Sequence, residues 1–180
     1  MSKIILSIAC LLLASSALHV KLNHEQAFKA GQVNIQSDTG AYLARCNNCG
    51  PGAYPDSAAI HERNRDNPWA IWTVSQVGDK FSFKADSGNF LSRCNNCWKR
   101  GAAYPDSALV HVKDAASGPW AQWTPENLGN GKWAFKSDTG KYLARCNNCV
   151  RGGSTPNFAF VHSTNSADPW AQWTVTWRNV

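Results

Sequence analysis

Three short segments of the chain alternate apolar and polar residues, which is the pattern of a half-buried β-strand. They lie at residues 33–36, 81–84 and 133–136. Each segment runs into Asp-Thr-Gly or Asp-Ser-Gly, in which the Asp or Ser opens a turn and the glycine takes a left-handed conformation. The chain is therefore expected to reverse into a second strand, predicted at residues 42–44, 90–92 and 142–144.

Two further strands are indicated after each of these hairpins. The third strand is predicted at residues 59–61, 109–111 and 160–162. The fourth is predicted at residues 72–74, 123–124 and 173–175. Four strands in each of three units make twelve, so the pattern predicts an all-β fold.

A module of roughly fifty residues accounts for this regularity, because its landmarks recur three times. The sequence Arg-Cys-Asn-Asn-Cys begins at Arg45, Arg93 and Arg145. The sequence Pro-Trp-Ala-x-Trp-Thr follows about two dozen residues later. We place the modules at about residues 31–79, 80–130 and 131–180, within a single domain over residues 18–180. Twelve short antiparallel strands in an open sheet would leave unpaired edges, so closure into a barrel is expected.

The sequences G-A-Y-L-A-R, G-N-F-L-S-R and G-K-Y-L-A-R, with the P-W-A-x-W-T strand that ends each module, resemble the actin-crosslinking, fascin-like branch of the β-trefoil superfamily. The resemblance covers about residues 31–180. It implies a β-trefoil of three pseudo-symmetric four-strand repeats, and it implies actin binding. Ricin-type lectins share this fold and also end each unit with a tryptophan, so a lectin-like trefoil is the second resemblance. The Cys-Asn-Asn-Cys loops depart from the usual fascin-like pattern.

The first residues lie outside the repeats and have the features of a secretory signal peptide. Lys3 precedes an apolar run from Ile4 to Leu13, and small residues continue to Ala17. We predict a signal peptide over residues 1–17, with a buried amphipathic helix as the alternative. The mature protein is then secreted and extracellular, with no membrane span, because this run is too short to cross a bilayer. A secreted chain does not meet cytoplasmic actin, which weighs against the activity that the fascin-like resemblance implies.

The net charge of +6 is modest, and no cluster of lysines and arginines stands out. Binding to nucleic acid would require a basic stripe on one face. Arg45, Arg93 and Arg145 are instead symmetric copies, which we expect a threefold fold to place far apart. We therefore predict no nucleic-acid partner, whereas anionic glycans stay possible because a positive field attracts them at low salt.

The six cysteines of the repeats form three Cys-x-x-Cys pairs, which in a secreted chain favours disulfides. Many connectivities are open to six cysteines. The trefoil implied by the resemblance would point the loops away from one another, which leaves pairing within each loop as the symmetric solution. The predicted disulfides are Cys46–Cys49, Cys94–Cys97 and Cys146–Cys149.

Thiol–disulfide exchange and metal binding are the alternatives for these cysteines. Cys-x-x-Cys is the redox spacing, yet the helix that usually carries it is not predicted here. For zinc, each module supplies two cysteines and one histidine where a closed site needs four ligands. If the loop closes a hairpin, Cys46 lies opposite a residue near Ser57, and His61 is about 13 Å away. We therefore predict no metal site and no cofactor.

Aromatic, carboxylate and amide side chains flank the Cys-Asn-Asn-Cys loops, and a sugar site needs these groups. The candidate ligand-binding residues are Asn47, Asn48, Tyr54, Asp56, Asn95, Asn96, Trp98, Tyr104, Asp106, Asn147 and Asn148. Trp98 directly follows Cys97, and we expect it to be exposed. Turn formation is the alternative explanation of Pro-Asp-Ser and Asn-Asn. The third module lacks the Tyr and the Asp.

The tryptophans of the Pro-Trp-Ala-x-Trp-Thr sequences fall into two sets. We expect Trp72, Trp123 and Trp173 to pack in the core. Trp69, Trp120 and Trp170 lie three positions earlier, on the opposite face of an extended strand, where we expect them to cap the barrel end.

Catalysis has little support in this sequence, because no nucleophile elbow or paired-carboxylate signature is present. Three similar surfaces fit multivalent binding better than a single asymmetric active site. We therefore predict a secreted, monomeric, non-enzymatic module that binds carbohydrate or another extracellular-matrix ligand. A fascin-like structural or filament-crosslinking protein is the alternative.

Overall fold

The predicted strands are present in the computed structural model, which describes residues 27–179 and contains twelve strands in that range. The strands are β1 (Gly31–Gln36), β2 (Tyr42–Asn47), β3 (Asp56–Glu62), β4 (Trp72–Val77), β5 (Lys80–Lys84), β6 (Phe90–Asn95), β7 (Asp106–Val112), β8 (Thr124–Gly129), β9 (Lys132–Lys136), β10 (Tyr142–Asn147), β11 (Asn157–Ser163) and β12 (Trp173–Trp177). The all-β prediction is confirmed. The predicted signal peptide lies outside the described residues.

Short 3₁₀ turns are the helical elements of the described range. They lie at Pro68–Ala70, Ala115–Ser117, Pro119–Ala121 and Pro169–Ala171. No helix within residues 27–179 has the length and apolarity that crossing a bilayer requires.

Six of the strands, β1, β4, β5, β8, β9 and β12, form a closed barrel. Five of the six junctions are antiparallel ladders between neighbouring strands. At the sixth junction, Phe81 and Trp123 exchange backbone hydrogen bonds of 2.8 and 2.9 Å. Closure leaves this barrel without an unpaired edge, as the sequence predicted.

The other six strands form three hairpins that cover one end of the barrel: β2 with β3, β6 with β7, and β10 with β11. The hairpins also pair with one another in a cycle, through Ser57 with Leu109, Ser107 with Phe160, and Phe158 with Ala59. Within the first hairpin Cys46 lies opposite Ser57, which confirms the predicted register. The Cys-Asn-Asn-Cys loops are therefore the tips of a three-hairpin cap.

The barrel core is organised by three equivalent tryptophans. Trp72, Trp123 and Trp173 are fully buried, and each indole N–H donates to the backbone carbonyl of a leucine in its own module. The accepting residues are Leu43, Leu91 and Leu143, at 2.9, 3.1 and 3.0 Å. Since a buried indole N–H without a partner would be costly, these bonds let the largest side chain occupy the core. The predicted core role is confirmed.

Phe28 also packs into the barrel core, although it precedes the first module. Its ring lies edge-on to Phe81, Trp133 and Phe135, with centroids 5.0 to 5.5 Å apart. The prediction that Trp69, Trp120 and Trp170 cap the barrel end is wrong, because each lies in an exposed 3₁₀ turn beside its cap hairpin.

Candidate functional site

Each Cys-Asn-Asn-Cys loop is closed by its own disulfide. The bonds join Cys46 to Cys49, Cys94 to Cys97, and Cys146 to Cys149, as predicted. The second asparagine of each loop, Asn48, Asn96 or Asn148, has a positive φ of 55°. Asparagine tolerates this left-handed conformation better than most residues, so the repeated Asn-Asn pair suits a tight cystine turn.

The three cystine loops contact one another, which contradicts the prediction that they point apart. The amide of Ala53 donates to the carbonyl of Cys97 at 2.7 Å. The amide of Ala103 donates to Cys149 at 2.9 Å, and that of Ser154 donates to Cys49 at 2.7 Å. The hairpins converge on the pseudo-threefold axis, so their tips form a closed ring. We call this ring of residues 46–55, 94–105 and 146–156 the cystine ring.

The arginine before each cystine loop joins its module to the next one. Arg45 donates from Nε and Nη2 to both carboxylate oxygens of Asp86, at 2.6 and 2.8 Å. Arg145 makes the same bidentate contact with Asp38 at 2.6 and 2.7 Å, which closes the cycle from the third module to the first. The three arginines are therefore clasps between modules, each bound to a carboxylate of the following one.

Charge pairing in these clasps shifts the pKa values of the groups involved. The hydrogen bond from Arg45 lowers the pKa of Asp86, and the hydrogen bond from Arg93 lowers the pKa of Asp138. The same contacts raise the pKa values of both guanidinium groups. The Arg45–Asp86 and Arg93–Asp138 clasps are consequently fully ionised pairs at neutral pH.

Asp56 and Asp106 lie under the cystine ring, although we expected them at a sugar site. Both are 8% exposed. The Oδ1 atom of Asp56 accepts from Arg45 and from the amide of Asn47, and Asp106 has the equivalent partners Arg93 and Asn95. In the third module Asn157 takes this position, between Arg145 and Asn147. These carboxylates hold the loop in place.

Trp98 is buried, so the prediction that it is exposed is wrong. Its side chain is 7% exposed and packs edge-on against Phe158 at 5.3 Å. The space for the indole comes from the first module, because a Cβ on Gly50 would lie 2.6 Å from the Trp98 ring. Trp98 therefore packs inside the cystine ring.

Tyr54 and Tyr104 are exposed, 43% and 42%, as a binding role requires. Each stacks on a histidine of the following module: Tyr54 on His111 at 4.3 Å and Tyr104 on His162 at 4.4 Å between ring centroids. Burial lowers the pKa values of His111 and His162, so both rings are neutral at pH 7. In the third module Thr155 takes the tyrosine position, two residues before Asn157.

Predicted and unpredicted residues meet in clefts around the cap. One cleft of about 270 Å³ is lined by Asn96, Trp98 and Tyr104 with residues 101–103 and Pro105. A second cleft of about 240 Å³ is lined by Trp120, His111 and Asn95, together with Arg93 and Cys94. The second cleft brings a predicted asparagine together with a tryptophan that was not proposed as a ligand contact.

Trp120 is the functional candidate that sequence reasoning missed. It is 39% exposed, and the equivalent residues Trp69 and Trp170 are 46% and 41% exposed. In each module the Pro-Trp-Ala turn packs on the strand that carries the Arg-Cys-Asn sequence. The signal was present in the sequence, because the odd offset from the core tryptophan put these side chains on the outer face.

His111 is held differently from the other two strand histidines. Its Nδ1 atom lies 2.9 Å from the hydroxyl of Ser92. Alanine replaces Ser92 in the first and third modules, and there the buried Nδ1 atoms of His61 and His162 have no hydrogen-bond partner among the described residues. The cleft at Trp120 is therefore the one in which the imidazole orientation is fixed.

Neither a protein-family model nor a curated protein sequence matches this chain. Among solved structures, the chain is similar to the Polyporus squamosus lectin, with a TM-score of 0.62 and 18% identity over 84% of this chain. The chain spans about half (50%) of that lectin's length. The fascin-like branch of the superfamily is not specifically shown by these similarities.

Two further similar structures match over nearly their whole length. The designed threefold-symmetric protein ThreeFoil has a TM-score of 0.59 and 18% identity, covering 81% of this chain and 98% of its own. A Culex salivary protein of the cysteine and tryptophan-rich family has a TM-score of 0.57 and 15% identity, covering 84% and 96%. At these identities the similarity concerns the fold alone, and the fold is a β-trefoil.

Proposed function

We propose that this β-trefoil is a secreted, non-enzymatic carbohydrate-binding module. The saccharide lies in the cleft at Trp120, with weaker equivalents at Trp69 and Trp170. The observation that carries the proposal is the exposed Trp120 indole beside a neutral His111 and the Asn95 amide in one open cleft.

The chemistry of this cleft fits a sugar ring. An indole offers a rigid apolar face against which the C–H face of a pyranose stacks. The Nε2 atom of the neutral imidazole, whose Nδ1 atom is bonded to Ser92, can bond one hydroxyl, and the carboxamide can donate to or accept from the neighbouring one. The lowered pKa of His111 keeps the imidazole neutral, so the cleft suits an uncharged saccharide.

Repetition around the axis makes the module suited to ligands that carry several sugars. The third module has the same residue types, with Trp170, His162 and Asn147, and Tyr104 stacked on its histidine. The first module has Trp69, His61 and Asn47, but it lacks a stacking tyrosine because Thr155 replaces it. Linked weak sites gain avidity when one ligand reaches more than one of them.

Two other observations support the proposal. The lectin from Polyporus squamosus is described in complex with a sialylated trisaccharide epitope, and a trefoil can carry such a site although fold alone does not establish it. The disulfides in all three loops are typical of an oxidising compartment, which supports secretion.

A glycan array followed by calorimetry tests this function, with Trp120→Ala and Trp120→Phe as a matched pair. We expect Trp120→Ala to weaken binding of a neutral saccharide about tenfold, while Trp120→Phe retains most of the affinity because the stacking face remains. Trp120 is in a surface turn, so near-UV circular dichroism is expected to show an intact core in both variants. Absence of any bound glycan, or undiminished affinity after alanine replaces Trp69, Trp120 and Trp170 together, would overturn the proposal.

A further inference from the structure

A pocket of about 490 Å³ opens between the second and third loops of the cystine ring. Its lining consists of Arg100, Arg151 and Asn148, together with residues 101–103 and Cys149. No carboxylate contributes to this lining. The pocket is separate from the cleft at Trp120 and shares no lining residue with it.

The two arginines of this pocket are unpaired, unlike the three clasp arginines. Within residues 27–179 neither Arg100 nor Arg151 forms a hydrogen bond or an ion pair through its side chain, whereas Arg45, Arg93 and Arg145 all hold carboxylates. Arginine is well suited to oxyanions because its planar guanidinium donates two parallel hydrogen bonds. Two free guanidinium groups at one pocket therefore provide an unsatisfied site for an anion.

Backbone geometry places these two charges at the same pocket. Gly152, next to Arg151, has a φ of +77°, and a Cβ placed on it would lie 3.5 Å from Nη1 of Arg100. The Arg100 guanidinium thus lies against the loop that carries Arg151. Like charges in proximity repel each other, and an anion between them would convert that repulsion into attraction.

Backbone hydrogen bonds and a disulfide hold the frame of the pocket. Ala102 pairs with Val150 in a β-bridge, and the amide of Ala103 donates to the carbonyl of Cys149. The disulfide from Cys146 to Cys149 closes the third loop beside this bond. A frame formed before binding lowers the entropic cost of capturing a ligand.

The pocket breaks the threefold symmetry of the molecule. Between the cystine and the Tyr-Pro or Thr-Pro sequence, the second loop contains Lys99 and Arg100, and the third contains Arg151. The first loop has Gly-Pro-Gly-Ala in this position and no charged residue. The expectation that no basic cluster exists therefore fails in one place, because residues about fifty positions apart in sequence meet in the cystine ring.

We propose that Arg100 and Arg151 bind the oxyanion group of an acidic saccharide, either a sulfate ester or a carboxylate. The guanidinium groups hold the anionic oxygens, and Asn148 is placed to bond an adjacent hydroxyl. The cleft of Asn96 and Tyr104 lies across residues 101–103, which line both spaces. An amide and an exposed ring are available there for the neighbouring sugar, which favours a saccharide over a row of phosphates.

Calorimetry on the oxidised protein tests this site with inorganic sulfate and with two matched saccharide pairs. The pairs are a heparin-derived tetrasaccharide with its desulfated form, and sialyllactose with lactose. We expect the protein to bind inorganic sulfate and one acidic saccharide, with at least about tenfold preference over the uncharged partner. Whichever pair shows the preference identifies sulfate ester or carboxylate as the natural group.

Arg100→Gln and Arg151→Gln are each expected to weaken the affinity for the acidic saccharide about tenfold. Arg63→Gln removes the same charge from an exposed position outside the pocket, so it is expected to leave the affinity within about twofold. Trp120→Ala is expected to leave sulfate binding unchanged, which separates failure of this site from failure of the cleft at Trp120. The proposal is overturned if no acidic probe binds, if Arg63→Gln is as harmful as Arg100→Gln, or if a polyphosphate of equal charge binds as tightly as the saccharide.

Discussion

The guanidinium of Arg93 donates from Nε and Nη2 to the two carboxylate oxygens of Asp138, each at 2.7 Å, and Asp138 belongs to the turn of the following module. Its remaining nitrogen, Nη1, donates to Asp106 of its own module at 3.0 Å. One side chain therefore fixes a cystine hairpin and also attaches it to the next repeat. The same arrangement at Arg45 and Arg145 makes the set of clasps cyclic.

Removing one clasp is expected to destabilise the whole domain. Arg93→Gln leaves the largely buried carboxylates of Asp106 and Asp138 without their cation, which we expect to cost about 2–4 kcal/mol of unfolding free energy. Urea denaturation of the oxidised protein measures this loss. Lys136→Gln provides the control, because its pair with Glu126 is more exposed, and we expect it to cost about 1 kcal/mol or less. Equal losses of unfolding free energy in the two variants would show that the clasp stabilises the protein no more than an exposed ion pair does.

The clasps also predict how stability depends on acid. The folded-state pKa values of Asp86 and Asp138 lie below the ordinary 3.8, because hydrogen bonds from Arg45 and Arg93 stabilise the ionised carboxylates. This stabilisation is fully present above a pH of about 3.8 and is lost as the pH falls through the lower folded-state values. Urea titrations between about pH 5 and pH 2 are therefore expected to show a steep loss of unfolding free energy. In Arg93→Gln the unfolding free energy should fall less steeply with pH. Parallel curves of unfolding free energy against pH for the two proteins would contradict this account.

Restoring the missing tyrosine is expected to stabilise the contact between the third and first modules. In Thr155→Tyr the new ring would lie where Tyr54 and Tyr104 lie in the other modules, stacked on His61. An aromatic pair of this kind contributes about 0.5–1.5 kcal/mol, so we expect a rise of that size in the unfolding free energy. Thr155→Leu adds apolar area without a stacking ring and is the control. If both variants are equally stable, ring stacking is not the source of the gain.

Each disulfide is expected to order the loop that follows it more than it stabilises the fold. A ring closed over three positions along the chain removes little chain entropy, about 2 kcal/mol in the loop-closure description. For Cys146→Ala with Cys149→Ala we expect a loss of that order and faster hydrogen exchange at the Ala103 amide, whose acceptor is the Cys149 carbonyl. The Ala53 amide, which donates to Cys97, serves as the internal control. Unchanged protection at Ala103 would mean that the backbone holds the cystine ring without this bond.

The strands and the core could be predicted because their signals are local. Alternation around Val33 and Ile35 indicated the first strand, and the place of Trp72 in the predicted fourth strand put its side chain in the core. The pairing of Cys46 with Cys49 was predicted correctly, although it rested in part on loops that point apart, and the loops converge instead. The strand and core inferences use residues within a few positions of one another, where backbone geometry determines which side chains share a face.

Contacts between modules could not be predicted, because each module repeats the same residue types and a contact within one module cannot be told from a contact with the next. Arg45 could pair with Asp38 of its own module or with Asp86 of the next, and the three copies of the sequence look identical in both cases. The burial of Trp98 depends on Gly50 in another loop, and the anion pocket depends on Arg100 meeting Arg151. Each of these outcomes is decided by how the hairpins converge on the axis, which no single module contains.

Strand β1 pairs with β12, from Val33 opposite Trp177 to Gln36 opposite Thr174, so the first and last strands of the chain are neighbours in the barrel. Clasps and loop bonds both run from one repeat to its successor, and the third repeat's successor is the first. The set of contacts therefore has no starting point, although the polypeptide has one. A circularly permuted gene opened between β4 and β5 would encode the same network, with a different repeat leaving the ribosome first.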